Sequence, residues 1–131
     1  MRIPSEMVGE MVAHARAEAP NECCGMIGGR DGSATSIHRA RNAEESPLRY
    51  VIHPTDQLRI MEEIEARGEE LAAIYHSHTG SPAYPSQTDI NLAENWPDPL
   101  YVICSLAHRE PEVRAFAIRD GEVEEVTLEL E

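Results

Sequence analysis

The sequence contains no lysine, so all 11 of its basic residues are arginine, against 24 aspartate and glutamate residues. The net charge of -13 at pH 7 argues against a nucleic-acid partner, because phosphate binding requires a basic face. Such a composition is typical of a solvated surface that favours solubility. A GC-rich genome, a salty cytoplasm or a partner with basic patches would favour the same composition, and the sequence does not separate these explanations.

Cysteine is scarce, and the three residues present are Cys23, Cys24 and Cys104. The adjacent pair cannot form an unstrained disulfide with itself, and no Cys-x-x-Cys pair indicates a structural zinc site. We therefore interpret all three as small buried residues. No run approaches the roughly 20 apolar residues of a membrane-spanning helix, and the first residues lack the apolar core of a secretory signal. These features predict a cytoplasmic protein with no membrane partner.

The chain has 131 residues and no internal repeat or linker, so we expect a single domain over residues 1–131. Apolar residues at helical spacing, together with Pro and Gly at the ends, predict helices over residues 4–19, 54–67 and 86–95. Apolar runs bounded by turn residues predict strands over residues 23–29, 36–40, 49–52, 71–76, 101–106, 113–118 and 123–130. This order favours an α/β fold with a mixed β-sheet flanked by helices. The strand order is not readable from the sequence.

The informative segment places two histidines, a loop, a serine and an aspartate in close succession. His76 and His78 are two positions apart at the end of a predicted strand, so their side chains point to the same face. Ser86 and Asp89 are three positions apart on a predicted helix and lie close together on its surface. If the loop folds the helix start against the strand end, two imidazoles and a carboxylate converge. Three such ligands leave the fourth tetrahedral position of zinc to water, as in catalytic sites.

Each part of this pattern also has an ordinary structural explanation. A His-x-His pair taken alone is more often surface or core than a metal site. Ser86 and Asp89 can form a capping box at a helix start, although capping and catalysis do not exclude each other. Glu22, between the first helix and an apolar strand, would by itself be an exposed turn residue. Jointly, these separate explanations are less economical than one site.

Together, Glu22, His76-x-His78, seven residues, Ser86, two residues and Asp89 resemble the metalloprotease motif of the JAMM family, the MPN+ domains. Four of the five residues stand at fixed spacing. The resemblance runs over nearly the whole chain, and residues 11–16 and 20–25 look like the small bacterial subgroup. Its actinobacterial member removes cysteine from the C-terminus of a ubiquitin-like sulfur carrier. Thr79 stands where many family members carry proline, but the cysteine-releasing type also has threonine there.

The resemblance implies a sheet between helices, related to the cytidine-deaminase fold. It implies that His76, His78 and Asp89 bind zinc. It further implies that Glu22 takes a proton from the attacking water and passes it to the leaving amine, while Ser86 donates to the oxyanion. The implied partner is a ubiquitin-like protein with a C-terminal Gly-Gly tail, from which cysteine is released. The short loop of residues 80–84 has no room for the zinc-bearing insertions of eukaryotic deubiquitinases, which argues against ubiquitin itself.

Other chemistries fit the sequence less well. Zinc deaminases use His-x-Glu followed by Pro-Cys-x-x-Cys, whereas the middle residue here is Ser77 and no such cysteine pair follows. Thermolysin-like chemistry requires His-Glu-x-x-His, which is absent. A non-catalytic scaffold with this fold would lack a ligand or the glutamate, and neither is missing. Within the enzyme interpretation, two alternatives stay open: removal of small ubiquitin-like modifiers from proteins, and general processing of sulfur-carrier C-termini.

Overall fold

A computed structural model describes all residues, 1–131, as three helices and eight strands. The helices are α1 (Ser5–Glu18), α2 (Pro54–Ala66) and α3 (Gln87–Ala93). The strands are β1 (Arg2–Ile3), β2 (Cys24–Arg30), β3 (Ser33–Ala40), β4 (Glu70–His78), β5 (Leu100–Ser105), β6 (Glu112–Arg119), β7 (Glu122–Val126) and β8 (Glu129–Leu130). None of the helices combines the length and the apolar character needed to cross a bilayer.

Proline and glycine set the helix ends, as the sequence predicts. Pro4 precedes the first residue of α1, and Pro20 follows one residue after its C-cap, where a proline cannot continue the helix. Pro54 occupies the first turn of α2, where its missing N–H costs nothing. Gly68 follows the C-cap of α2 with a φ of +69°, a left-handed conformation that glycine adopts without steric cost.

All eight strands form one sheet in the order β7-β6-β5-β4-β2-β3-β1-β8. The β4–β5, β1–β3 and β1–β8 pairs are parallel and the other pairs are antiparallel, which confirms the predicted mixed sheet. The two edge strands, β7 and β8, are separated by only residues 127 and 128. Because each residue spans at most about 3.6 Å, the sheet must curl until its edges approach one another.

Helices cover both faces of the curled sheet, and each face has its own hydrophobic core. One core lies under α1 and includes Ile3, Met7, Met11, Ala15, Cys23, Ile27, Tyr75, Val102 and Cys104. The other lies under α2 and α3 and includes Cys24, Met26, Tyr50, Ile60, Ile64, Ile74, Ile103 and Phe116. The three cysteines are buried and free, which confirms their interpretation as small buried residues.

Two of the strand predictions are wrong, and one short strand, β1, was missed. Residues 49–52 form an irregular segment with a single bridge, between Asn42 and Ile52, because the side chain of Asn42 takes backbone hydrogen bonds that a neighbouring strand would otherwise supply. The strand predicted over residues 123–130 is instead β7 and β8, on opposite edges of the sheet. The missed strand β1 has only two residues, too few for any periodicity to appear.

Replacing Gly25 by alanine is expected to destabilise the protein by about 1–3 kcal/mol, because the added methyl group overpacks a filled core. A Cβ at Gly25 would overlap the ring of Tyr75 and lie 2.5 Å from the carbonyl oxygen of His38. The matched control is Gly9→Ala at an exposed position of α1, where nothing lies within 4 Å and helix propensity predicts a gain of about 0.5–1 kcal/mol. Denaturant unfolding of the metal-free proteins measures both; equal free energies of unfolding would contradict the prediction.

Candidate metal centre and active site

The last residues of β4 place two histidines on the same face of the strand. His76 pairs with Cys24 in β2, and both His76 and His78 are buried, at 0% and 3% exposure. Strand alternation turns Ser77 to the opposite face, where its Oγ accepts a hydrogen bond of 2.8 Å from the backbone N–H of Cys23. The His-x-His segment is therefore fixed on both faces of the strand.

The carboxylate of Asp89 comes from the first turn of α3. Ser86 is the N-cap, and its Oγ accepts a hydrogen bond from the Asp89 N–H at 3.1 Å. In return, Asp89 Oδ2 accepts one from the Ser86 N–H at 2.9 Å. The capping box anticipated from the sequence is thus present, and it orients the aspartate toward the end of β4.

Three donor atoms from these elements converge on one point. The Nε2 atoms of His76 and His78 are 3.2 Å apart, and Asp89 Oδ2 lies 3.1 Å from the first and 3.0 Å from the second. Around a tetrahedral ion held at about 2.0–2.1 Å, neighbouring donor atoms lie about 3.3 Å apart. The cluster therefore has the donor set and spacing to hold a metal ion, with one coordination position left to a further ligand.

Hydrogen bonding around His78 leaves its Nε2 free to act as a ligand. Its Nδ1 lies 2.8 Å from the carbonyl oxygen of Pro82, which can only accept, so Nδ1 carries the hydrogen. The loop that carries Pro82 is held in turn by Ser105, whose hydroxyl donates to the Ser81 carbonyl at 2.6 Å. In neutral His78 the Nε2 lone pair then faces the oxygen of Asp89, and a cation between them removes the repulsion.

Burial and mutual contacts set the charges of the cluster. Burial lowers the pKa of His76, which favours the neutral imidazole that metal binding requires. Burial opposes charge on His78 as well, but its hydrogen bonds with Asp89 and Pro82 outweigh burial and raise its pKa. For Asp89, burial is likewise outweighed: hydrogen bonds from both histidines hold its pKa well below the ordinary value. The aspartate is therefore a permanent anion.

Glu22 reaches the same end of the sheet from a distant part of the chain. It stands two residues before Cys24, which pairs directly with His76 across the β2–β4 ladder. The hydroxyl of Thr79 donates to the Pro20 carbonyl at 3.2 Å, which ties the loop after the histidines to the segment before Glu22. The threonine that departs from the common family pattern thus has a structural role here.

The carboxylate of Glu22 is buried without a full set of partners. The residue is 4% exposed, and its Oε1 has no hydrogen-bond partner. Burial raises the pKa of Glu22 to about 7; His78 opposes this rise and Asp89 adds to it. The simple interpretation of Glu22 as an exposed turn residue is therefore wrong. A carboxyl group with a pKa near neutrality can both accept and return a proton.

A polar cavity of about 690 Å³ adjoins Glu22. It lies between α1, the end of β3 and the start of α2, and Glu22 is the one predicted site residue that lines it. Its three arginines already have acidic partners: Arg41 with Asp56 at 3.0 Å, Arg39 with Glu10 at 2.8 Å and Arg59 with Glu63 at 3.2 Å. The cavity therefore offers no unpaired cation beside the glutamate.

Sequence reasoning missed two residues that organise this site. Tyr50 stacks its ring on His76, with centroids 4.3 Å apart and an interplanar angle of 22°. Asn42 binds the backbone on both sides of Tyr50 and also the carbonyl of Glu22. Neither residue has a chemical signature in the sequence. The only local indication of this role is the position of Asn42 just after β3 and shortly before residues 49–52, whose composition is typical of a strand.

This geometry and its sequence pattern define a class of protein: the chain belongs to the family described as prokaryotic homologs of the JAB domain, which matches residues 4–119. Among its relatives, the CysO-cysteine peptidase of Mycobacterium tuberculosis is 42% identical over 127 residues, 94% of this chain and 86% of that protein. A probable TtuB-protein conjugate cleaving protease of Thermus thermophilus is 36% identical over 121 residues, 92% and 77% of the two chains.

The fold also matches solved structures. A protein from Desulfitobacterium hafniense, determined in solution, aligns with a TM-score of 0.90 at 34% identity, covering 100% of this chain and 93% of that one. The family match and this alignment confirm the predicted JAMM (MPN) family and its mixed sheet between helices.

Proposed function

We propose that the chain is a zinc metallopeptidase that hydrolyses the amide bond after the C-terminal Gly-Gly of a ubiquitin-like sulfur-carrier protein and releases cysteine. The observation that carries this proposal is the convergence of His76, His78 and Asp89 beside the buried Glu22. Similarity to a cysteine-releasing peptidase over nearly the whole chain supports it. In this proposal residues 1–131 act as one domain in the cytoplasm, where free cysteines are stable.

Zinc is the metal that the donor set favours. Two imidazoles and one carboxylate are typical ligands of catalytic zinc, and such sites keep one open position. When bound, zinc supplies a Lewis acid that lowers the pKa of water to about 7 and polarises a carbonyl group. Two of the three metal-binding groups already favour the form that binds a metal: burial favours neutral His76, and Asp89 is ionised. The pKa of His78 is raised by its hydrogen bonds with Asp89 and Pro82, so metal binding competes with a proton there.

Two groups of the chain carry the proton transfers and the charge of the proposed reaction. Glu22 takes a proton from the water that attacks the glycine carbonyl carbon. It then gives that proton to the cysteine nitrogen as the C–N bond breaks, and its pKa of about 7 suits both steps. The Ser86 oxygen already accepts from the Asp89 N–H, so its own O–H remains available to donate to the oxyanion of the tetrahedral intermediate.

In this proposal the substrate tail ends in Gly-Gly because glycine lets an extended backbone approach the metal centre closely. The second candidate function is cleavage of isopeptide conjugates of small ubiquitin-like modifiers, which the similarity to the Thermus protease favours. The two candidates differ only in the group that leaves: a single cysteine, or the side-chain amine of a lysine on a target protein.

The test measures metal content and cleavage together. Purified protein is assayed for zinc and then given a sulfur carrier extended by one cysteine and, separately, the carrier joined to a lysine side chain. Mass spectrometry detects the products, and a chelator-treated sample serves as the control. The proposal expects one zinc per chain and release of cysteine as the faster reaction. Faster cleavage of the lysine conjugate would favour the second candidate, and absence of zinc would refute the metal assignment.

Replacement of Ser86 separates its capping role from its proposed catalytic role. Ser86→Ala is expected to lose about 10²–10³-fold in kcat, as for other oxyanion donors, and about 1 kcal/mol of stability from the lost cap. Ser86→Asp keeps a capping oxygen but has no hydroxyl, so it should retain stability and still lose activity. Ser86→Thr should retain both. Steady-state kinetics with thermal unfolding measure this, and an active Ser86→Asp variant would leave capping as the only role.

A further inference from the structure

The side chain of Asn42 is the most fully bonded polar group beside the proposed active site. Its Nδ2 donates to the carbonyl oxygens of Glu22 at 3.1 Å and Arg49 at 3.0 Å. Its Oδ1 accepts from the backbone N–H groups of Glu44 at 3.0 Å and Val51 at 3.1 Å. A primary amide has two donor hydrogens and two acceptor lone pairs, so its whole capacity is used.

Two of these hydrogen bonds fix the backbone on either side of Tyr50. The bonded groups are the Arg49 carbonyl, just before Tyr50, and the Val51 N–H, just after it. Tyr50 is 5% exposed and stacks on His76. Because residues 49–51 belong to no strand, the amide of Asn42 replaces the ladder that would otherwise hold this aromatic ring.

A third hydrogen bond connects the same amide to Glu22. The Glu22 carbonyl accepts from Asn42, and the Glu22 N–H donates to the Ser46 carbonyl at 2.9 Å. Both backbone groups of the glutamate are therefore held by residues 42–46. Its side chain has no comparable hydrogen bond, since Oε1 lacks a partner, so the backbone bonds fix the point from which the carboxylate projects.

We propose that Asn42 is a positioning residue that couples the carboxylate of Glu22 to the Tyr50 ring packed on His76. This inference rests on the proposed function, in which Glu22 moves the proton and His76 binds the metal. One planar amide sets the distance between the proton-transfer group and the metal centre. A shift of about 1 Å in such a distance costs on the order of 100-fold in rate.

The nearly isosteric variant Asn42→Asp tests the coupling. An aspartate keeps the acceptor oxygen for Glu44 and Val51 but cannot donate, and its second oxygen would face the carbonyls of Glu22 and Arg49. The expected result, at saturating zinc, is a kcat lowered by about 10–100-fold, the usual cost of disturbing groups that orient a metal site. KM should be unchanged, because Asn42 contacts no substrate in this proposal.

The matched control is Glu69→Gln, which changes another buried side chain that makes several hydrogen bonds. Glu69 accepts hydrogen bonds from Thr35, from Ser36 at 2.8 Å and from Arg67 at 2.8 Å, and it precedes β4 at the end opposite to His78. This variant should lose stability but keep kcat per folded molecule. If Asn42→Asp behaves in the same way, with a lowered melting temperature and unchanged kcat, then Asn42 only stabilises the loop that follows it, and the proposal is overturned.

Two readouts do not depend on hydrolysis. Amide hydrogen exchange at Glu22 should be slow in the wild type and in Glu69→Gln but faster in Asn42→Asp, because the Glu22 carbonyl loses its donor and the segment that holds the Glu22 N–H is loosened. Exchange at Val51, whose acceptor oxygen the aspartate keeps, should change in neither variant. The zinc dissociation constant should rise only in Asn42→Asp. These readouts test the coupling even if the wild type cleaves no carrier, a result that would count against the proposed function alone. Should Asn42→Asp fail to fold, Asn42→Ser, which can satisfy one carbonyl at most, gives the same measurements. Unchanged exchange and zinc affinity in the folded variant would refute the coupling.

Discussion

Glu22→Gln is expected to lower the rate of hydrolysis by about 10²–10⁴-fold, the usual contribution of a positioned general base, while the metal and the fold are retained. Glutamine has nearly the same shape but cannot accept a proton from water or return one to the leaving amine. The measurement is single-turnover cleavage at saturating zinc, with metal content determined on the same sample. Glu22→Ala should behave alike. Retained activity in either variant would refute the proposed mechanism.

The same variant is expected to be more stable than the wild type in alkaline, metal-free solution. Burial raises the pKa of Glu22 from 4.5 to about 7 in the folded protein. Between these pH values the folded state holds a proton that the unfolded state has lost, so stability falls as pH rises through this window. Glutamine does not ionise, so Glu22→Gln does not lose stability over this pH window. Thermal unfolding in the presence of a chelator should show the variant melting higher above pH 7 and the difference vanishing below pH 4.5.

Asp89→Asn is expected to abolish both metal binding and hydrolysis. The amide lacks the charge that makes the carboxylate a strong zinc ligand, and Asp89 Oδ2 is the atom on which both histidines converge. Elemental analysis should find the zinc of the wild type absent from the variant. A variant that keeps stoichiometric zinc would show that Asp89 is not a ligand.

A control on the same helix separates loss of the metal from loss of the helix. Gln87→Ala changes an exposed residue of α3 whose side chain bonds only to Asn91, at 3.0 Å. It should keep zinc and activity, because it touches neither the capping box nor the cluster. Asp89→Asn can still accept from the Ser86 N–H through its amide oxygen. Both variants should therefore retain α3, and circular dichroism compares their helix content directly.

The sequence by itself determined the local elements and the chemistry of the site. The helical spacing of apolar residues in α1 and α2 located both helices, because an amphipathic helix repeats every 3.6 residues. The spacing of His76, His78, Ser86 and Asp89 placed four polar side chains on predictable faces of one strand and one helix start. These patterns lie within short stretches, so propensity and periodicity suffice to read them.

Only the tertiary structure decided how distant segments meet. The Ser77 N–H donates to the Cys23 carbonyl at 3.1 Å, which joins residues 54 positions apart. This pairing, not any local pattern, brings Glu22 beside the histidines. The split of residues 123–130 between opposite edges follows from the curl of the sheet around α1, which no local period encodes. Residues 49–52 have strand-like composition, yet the Asn42 side chain takes their hydrogen bonds. Long-range contacts override local preference there, because a buried backbone group is stabilised by whichever partner the fold brings within reach.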